Sequence, residues 1–585
     1  MNRKRKMLFI AIVLLIAVII NSCSREWRSD AELTIVAASL KVIPDKNYNR
    51  FSQRVSTIIA KEIKERTGAD IITDDTAAEY SIVLKIDSLS LSKNDGFSIL
   101  TTHNSKGKIS ITGQSKSGLL AGIGKLLRIS SYSPGTITIP DTTIEDAPMM
   151  NIRGLYPATH FHNYYHVAPN EKIDKLLEDF ALLGANNIYI AFDMHEYDGL
   201  QHPKAQKQLS RVKHIAKTTH DLGMKFTLGF IANEGYNNTP KKLRAKRSEG
   251  IADYGTEICP STEEGRVLIL KNQKEIISSF DKVEMFCSWP YDQGGCACDK
   301  CSPWGGNGFI KISKDDAENF HKIFPKGEFW LSTWNFDLRH TGDYAGLFSY
   351  MQKEKPDWIT GLLTGIQSKN YLQTFDRPYP EKYKVAWFPE ISMLKVRPWM
   401  WSANPLPNHF KKIIGELKEK IVGGWIYSEG IYEDINKFIW FSYYWNPDKT
   451  MDEIMHEYAA YYLSPDIADE AVKLFHLLEE SYPRKDWNVE NLDGADEAYS
   501  IAEQIDKLLP QWSKKSWRWR SIYDRVQIDY ILKKYGHETE EAKAKLRPIF
   551  DEIERINYIQ PDTYKWLQLV DKMLEKLKKE KNTNE

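Results

Sequence analysis

The chain has 585 residues, with 79 Lys plus Arg against 79 Asp plus Glu and a formal net charge of +0 at pH 7. The two signs are interleaved, so no extended cationic stretch favours a phosphate backbone, and nucleic acid is not an expected partner. The 12% aromatic content, with 17 Trp and 30 Tyr, instead supplies flat apolar rings that fill cores or stack on the C–H faces of sugars.

Arg3, Lys4, Arg5 and Lys6 precede an apolar run from Met7 to Ile20. That run is short of the ~20 residues needed to span a bilayer. Asn21-Ser22-Cys23 then offers a small-residue cleavage site. The pattern resembles a bacterial lipoprotein signal, in which residues 1–22 are removed and Cys23 becomes the lipidated first residue. The alternative is an uncleaved anchor helix. Either expectation puts the globular part outside the cytoplasm and holds it at a membrane.

Residues 23–147 read as a small α/β domain. Residues 33–36, 81–86 and 108–112 have strand character, residues 51–66 have helical periodicity, and 118–127 read as a helix with small residues on one face, suited to lie close against a sheet. No catalytic cluster stands out there.

From 148 to 445 an apolar strand, a loop and an amphipathic helix recur, the alternation of a parallel sheet closed by helices. The candidate strands are 152–156, 187–192, 225–230, 283–288, 328–332, 359–363, 384–388 and 423–427, the number required for a (β/α)₈ barrel. Such barrels work at the carboxyl ends of their strands. There the sequence offers His160 and His162, Asp193 and Glu196, Asn233 and Glu234, Asp292, Trp334 with Asn335 and Asp337, Glu390, and Glu429 with Glu433 and Asp434. Residues 446–585 read as a helical C-terminal domain. Its unusual run Ser516-Trp517-Arg518-Trp519-Arg520 is explained by Arg stems and rings covering apolar surface between helices and barrel.

The fourth strand opens into Tyr291-Asp292-Gln293-Gly294-Gly295-Cys296-Ala297-Cys298-Asp299-Lys300-Cys301. Gly294 and Gly295 let the backbone approach a ligand closely, which singles out Asp292, although an Asp there could also cap the next turn. The C-x-C-x-x-C spacing can bind zinc, with Cys287 or Cys259 as a fourth ligand. In an oxidising compartment, however, a disulfide among Cys287, Cys296, Cys298 and Cys301 is the expected outcome, with no metal and no cofactor.

Residues 96–99, 109–113 and 117–127 resemble the non-catalytic N-terminal domain of family-20 glycoside hydrolases, a domain shared with family-67 and family-84 enzymes, where it precedes a catalytic (β/α)₈ barrel. Arg153-Gly154 resembles the Arg-Gly by which family-20 enzymes hold hydroxyls of the terminal sugar. Trp425-Ile426-Tyr427-Ser428-Glu429 resembles their Trp-x-Glu, whose Glu grips hydroxyls as well. The resemblance implies a glycosidase acting on an oligosaccharide or glycan. It departs at the fourth strand, where family-20 enzymes carry Asp-Glu and family-84 enzymes an Asp pair, but this chain has Asp292-Gln293. An amide delivers no proton, so an acid must come from another strand end.

Glycoside cleavage needs one carboxylic acid to protonate the departing oxygen and a second group at the anomeric carbon. Asp292, Glu390 and Glu429 are the expected catalytic set, with Arg153, Asp193, Trp334, Asn335 and Tyr427 lining the substrate. Glu429 could instead form an ion pair at the mouth, Glu390 could be a solvated loop residue, and Glu433 and Asp434 could start the following helix. The expected substrate is a terminal sugar of N-acetylhexosaminide or uronic-acid type. The rival reading, to which Gln293 lends support, is a glycan-binding lipoprotein that keeps the barrel without hydrolysis, and a zinc hydrolase built on the cysteines is a third.

Overall fold

The computed structural model describes residues 24–558 except 73–76, 90–93, 103–106, 160–162, 248–254, 293, 339–340, 366–376, 392–401, 482–490 and 537–538. The signal segment, Cys23, His160, His162 and Gln293 therefore lie outside the described residues. The chain divides into two compact units, one holding residues 1–151 and two short later segments, the other holding the rest, from 152 onward.

The first unit is a mixed sheet of β1 (Ser24–Val36), β2 (Leu40–Ile43), β3 (Tyr80–Ile86), β4 (Phe97–Thr102), β5 (Lys108–Gly113), β6 (Ser131–Ser133) and β7 (Thr136–Asp146). The strand order is β1-β7-β4-β5-β3-β2, with β6 on β7. The helix Lys116–Ile129 starts where the Ser115 hydroxyl accepts from Gly118 N, satisfying a donor that the first turn would otherwise leave unpaired. Its small residues permit close packing: a Cβ at Gly122 would stand 2.9 Å from the Phe97 ring, and one at Gly118 only 2.5 Å from Gly96 O.

The second unit contains β8 (Ile152–Pro157), β9 (Asn187–Ala191), β10 (Lys225–Ile231), β11 (Met285–Trp289), β12 (Glu328–Ser332), β13 (Gly361–Thr364), β14 (Lys384–Trp387) and β15 (Gly423–Ser428), closed into one barrel. All eight pairings are parallel. The fold is thus the expected (β/α)₈ barrel with helices after it, and the expected strands lie within a few residues of the observed ones.

Strand alternation decides which side chains fill the barrel. Ile152, Tyr156, Tyr189, Met285, Cys287, Trp330, Leu363, Ala386, Trp425 and Tyr427 point inward and form one buried cluster. Glycines on neighbouring strands make room for the largest rings. A Cβ at Gly154 would meet Trp425 at 2.3 Å, and one at Gly361 would meet Trp330 at 2.5 Å. Trp425 Nε1 donates to Asn187 Oδ1 at 2.7 Å, so the buried indole keeps a partner.

The same parity corrects the expectation for Arg153. Ile152, Tyr156 and the Gly154 position face the barrel interior, so Arg153 projects to the other face of β8, where it is 1% exposed. The Arg-Gly of this chain does not present its guanidinium to the barrel lumen. Among the later helices, Arg518 is also structural: it pairs with Asp179 at 3.0 Å and Asp434 at 2.7 Å, and lies 4.0 Å over the Tyr462 ring.

Candidate active site

A floor of aromatic rings closes the barrel below its carboxyl-end mouth. Tyr156 contacts Tyr427 and Phe388 at centroid distances of 5.5 and 5.4 Å. Phe388 contacts Tyr427 at 5.5 Å, Trp289 at 5.0 Å and Trp334 at 5.6 Å. Each ring comes from the end of a different strand or from the loop just after it. Together they form the kind of apolar platform on which a pyranose face can rest.

Asp292 stands at one side of this floor, two residues past the Pro290 that follows β11, and Trp334 Nε1 donates to its Oδ1 at 3.3 Å. Its φ of 65° is left-handed, a conformation costing a non-glycine residue about 1–3 kcal/mol and concentrated at functional sites. The loop holds that geometry through buried clamps. Gly295 N donates to Asn233 Oδ1 at 2.8 Å, while the Asn233 amide donates to Gly295 O at 2.8 Å and Ile258 O at 2.9 Å. Tyr291 Oη donates to Asp343 Oδ2 at 2.9 Å, and Gly305 N donates to Asp343 Oδ1 at 2.8 Å. Trp304 Nε1 caps Pro290 O at 2.9 Å. Neither Asn233 nor Asp343 announces this role in sequence, because the backbone groups each one ties lie on loops far away along the chain.

Glu429 stands across the floor. Tyr427 Oη donates to its Oε1 at 2.7 Å, and its own N–H donates to Glu433 Oε1 at 3.3 Å. Glu433 is buried, 3.6 Å from the Lys437 ammonium, so the ion pair at this mouth belongs to Glu433. Burial pushes the Glu429 carboxyl up; the Glu433 carboxylate adds to this and the Tyr427 hydrogen bond opposes it, leaving it at about 7. Glu390 joins the same side through the bridge between its backbone and Tyr427, with Tyr427 N donating to Pro389 O at 2.8 Å. Asp292, Glu390 and Glu429 are each partly exposed, as is the Trp289 ring, whereas Tyr156, Trp334, Phe388 and Tyr427 are buried.

Asp193, after β9, forms a third side with His195 and Glu234. His195 Nδ1 and N–H both meet Glu234 Oε1, and Glu196 lies 3.4 Å from Nε2. Burial alone would lower the imidazole, but hydrogen bonds to Glu196 and Glu234 outweigh it and hold the ring above its usual range. Burial raises Asp193 to about 6 against the pull of His195, and raises Glu234 as well. Glu234 Oε2 is buried with no hydrogen-bond partner. Sequence reasoning placed Glu234 only as a strand-end residue, since its partner His195 follows another strand. The carboxylates of Asp193, Asp292 and Glu234 all act on the buried Tyr156 phenol, and those of Glu429 and Glu390 on the Tyr427 phenol.

The structure therefore brings Asp193, Asp292, Trp334, Glu390, Tyr427 and Glu429 to one mouth. Asn335 follows Trp334 there, buried and with a φ of 57°. Arg153 is not brought to it.

The disulfide expectation is corrected. Cys259, Cys287, Cys296, Cys298 and Cys301 are all free thiols. Cys287 points into the barrel core, where burial pushes its thiol up to about 12, while the other four gather beside the Asp292 loop with their sulfurs within 4.8 Å of one another. A disulfide needs about 2.05 Å, and Cys259 Sγ stands 3.8 Å from Cys298 Sγ. These four are the described residues best able to hold a metal.

No protein-family model matches the chain, and no curated protein matches it. Solved structures do. A family GH115 4-O-methyl-α-glucuronidase with specificity for decorated arabinogalactans superposes with a TM-score of 0.59 at 9% identity, covering 90% of this chain and 77% of that one. A GH89 enzyme of Clostridium perfringens, in complex with its substrate GlcNAc-α-1,4-galactose, does so with a TM-score of 0.56 at 14% identity, covering 87% of this chain and 66% of that one. The GH84 protein CpGH84B aligns at 0.50 and 13%, covering 95% of both chains. At these identities the likeness establishes a shared architecture, the α/β barrel found in several glycoside hydrolase families.

Proposed function

We propose that this chain is an O-glycoside hydrolase that removes terminal sugars, of N-acetylhexosaminide or uronic-acid type, from glycans outside the cytoplasm. The observation that carries the reading is the set of partly exposed carboxylates, Asp292, Glu390 and Glu429, ringing an aromatic floor at the carboxyl end of the barrel. Superposed relatives include enzymes described as acting on a glucuronide and on an N-acetylglucosaminide, which supports keeping both sugar types.

In this mechanism Glu429, raised to about 7, keeps its proton near neutrality and can deliver it to the departing glycosidic oxygen as the C–O bond breaks. That supplies the acid which the amide of Gln293 cannot. Asp292, held in its left-handed conformation, faces the anomeric centre or orients the substituent beside it, and Glu390 is the further carboxylate able to act on water or sugar hydroxyls. Trp334, Asn335, Asp193 and Tyr427 line the sugar. The step needs only substrate and water.

A panel of chromogenic aryl glycosides that includes N-acetylhexosaminides and glucuronides tests the reading, with release of the aglycone expected for at least one. Tight glycan binding with no release from any of them would favour the binding-protein reading, for which Asp292-Gln293 gives grounds.

The N-terminal pattern supports a further part of the proposal, attachment to a membrane through a lipid on Cys23. Among the described residues no helix is long and apolar enough to cross a membrane. Wild-type protein is expected to incorporate labelled acyl chains in bacterial cells and Cys23→Ala is not. Equal labelling of the two would refute lipidation at Cys23.

A further inference from the structure

We propose that Cys259, Cys296, Cys298 and Cys301 form a structural site for one tetrahedral zinc ion, which pins the segment after β10 to the loop that carries Asp292. Zinc–thiolate bonds of about 2.3 Å place the sulfurs of a tetrahedral site about 3.8 Å apart. Cys259 Sγ and Cys298 Sγ are separated by 3.8 Å, and all four sulfurs lie within 4.8 Å of one another. An all-thiolate tetrahedral set selects zinc over the oxygen-seeking cations. It also leaves no open position for substrate, so the site is structural rather than catalytic.

The backbone builds the donor set. Cys301 N and Ser302 N both donate to Cys298 O, at 2.9 and 3.0 Å, folding the C-x-C-x-x-C run into a turn with its three thiols on one side. The fourth thiol arrives from another segment: Cys259 N donates to Leu243 O at 2.9 Å, Ile258 N to Asn233 O at 2.7 Å, and Ala297 N to Lys246 O at 2.8 Å. Ser261 Oγ lies 3.0 Å from Cys259 Sγ and 3.5 Å from Cys298 Sγ, placed to hydrogen-bond thiolates as outer partners of metal ligands do. Cys259, Cys296 and Cys301 are buried, while Cys298 is partly open. Beside Cys301 runs a surface groove lined by Pro260, Ser261, Lys300, Lys311, Lys314 and the Arg266–Asp315 ion pair, among others. It offers an entry path, and its three lysines complement the net negative charge of a zinc with four thiolates.

The same clamp explains how a strained Asp292 is kept in place, because Asn233 ties Gly295 and Ile258 together immediately beside the thiols. The proposal does not depend on what Asp292 does, and its test reads metal rather than turnover. Full-length protein purified without a metal-affinity step is expected to carry about one zinc per chain. After chelator stripping under reducing conditions, cobalt(II) should give thiolate charge-transfer and tetrahedral d–d bands that saturate at about one equivalent. Cys298→Ser, at the most exposed ligand, should weaken cobalt binding by more than about tenfold, whereas Cys287→Ser should leave stoichiometry and spectrum unchanged. The proposal is overturned if the reduced wild-type chain gives no cobalt bands, if the isolated protein carries disulfides among the four residues, or if Cys298→Ser binds cobalt with unaltered affinity and spectrum.

Discussion

Asp292→Asn is expected to lower turnover on the best aryl glycoside by roughly 10²–10⁴-fold, the range for loss of one positioned acid–base or charge-stabilising group. The substitution keeps the shape of the side chain and an oxygen able to accept from Trp334 Nε1, which now meets Oδ1 at 3.3 Å. Asn also tolerates the left-handed backbone found at this position, φ 65°. The loop clamps through Asn233 and Asp343 are untouched, so the loss should fall on kcat while sugar affinity stays near wild type. That pattern marks an interaction made mainly in the transition state. Full turnover in Asp292→Asn would remove it from the chemistry and shift attention to Glu390.

The second large effect is expected at Glu429, and pH is its diagnostic. Its carboxyl moves from an ordinary 4.5 to about 7, with burial the leading cause. A proton donor with that value gives a wild-type kcat/KM that holds below pH 7 and falls as the pH rises through it. Glu429→Gln should lose most activity and, with it, this alkaline limb. A role confined to gripping hydroxyls would instead raise KM and leave the limb in place, so the profile separates the two roles of Glu429. Stability should change in a matching way. A carboxyl whose folded value is raised contributes stability that is fully present below its unfolded value and is lost as pH rises through the folded value. Glu429→Gln should therefore unfold near the wild-type denaturant midpoint at pH 4 and above it at pH 8. A midpoint below wild type at pH 8 would show that Glu429 is held as a satisfied anion.

The eight barrel strands were legible because each is a short apolar run between turn signals, and burial on both faces leaves that mark on sequence whatever the neighbours are. Once the strands were placed, their carboxyl ends followed, and with them Asp193, Asp292, Trp334, Asn335, Glu390, Tyr427 and Glu429. The N-terminal sheet and its small-residue helix were legible for the same local reasons.

Tertiary structure alone decided the rest. Arg153 lies on a correctly read strand, yet whether it faces the lumen depends on the parity of β8 against β15, where Gly154 receives Trp425. His195 and Glu234 follow different strands, and the hydrogen bond between them arises only from closure of the sheet. The thiols show the limit most sharply. The C-x-C-x-x-C run names three donors in one loop, but the choice between disulfide and tetrahedral site rests on Cys259, which the segment after β10 delivers from far along the chain. Local pattern reports which side chains are buried or turned. Distances between groups remote in sequence are set by packing of the whole barrel, so which acid keeps a proton and which thiols share a site are properties of the folded chain.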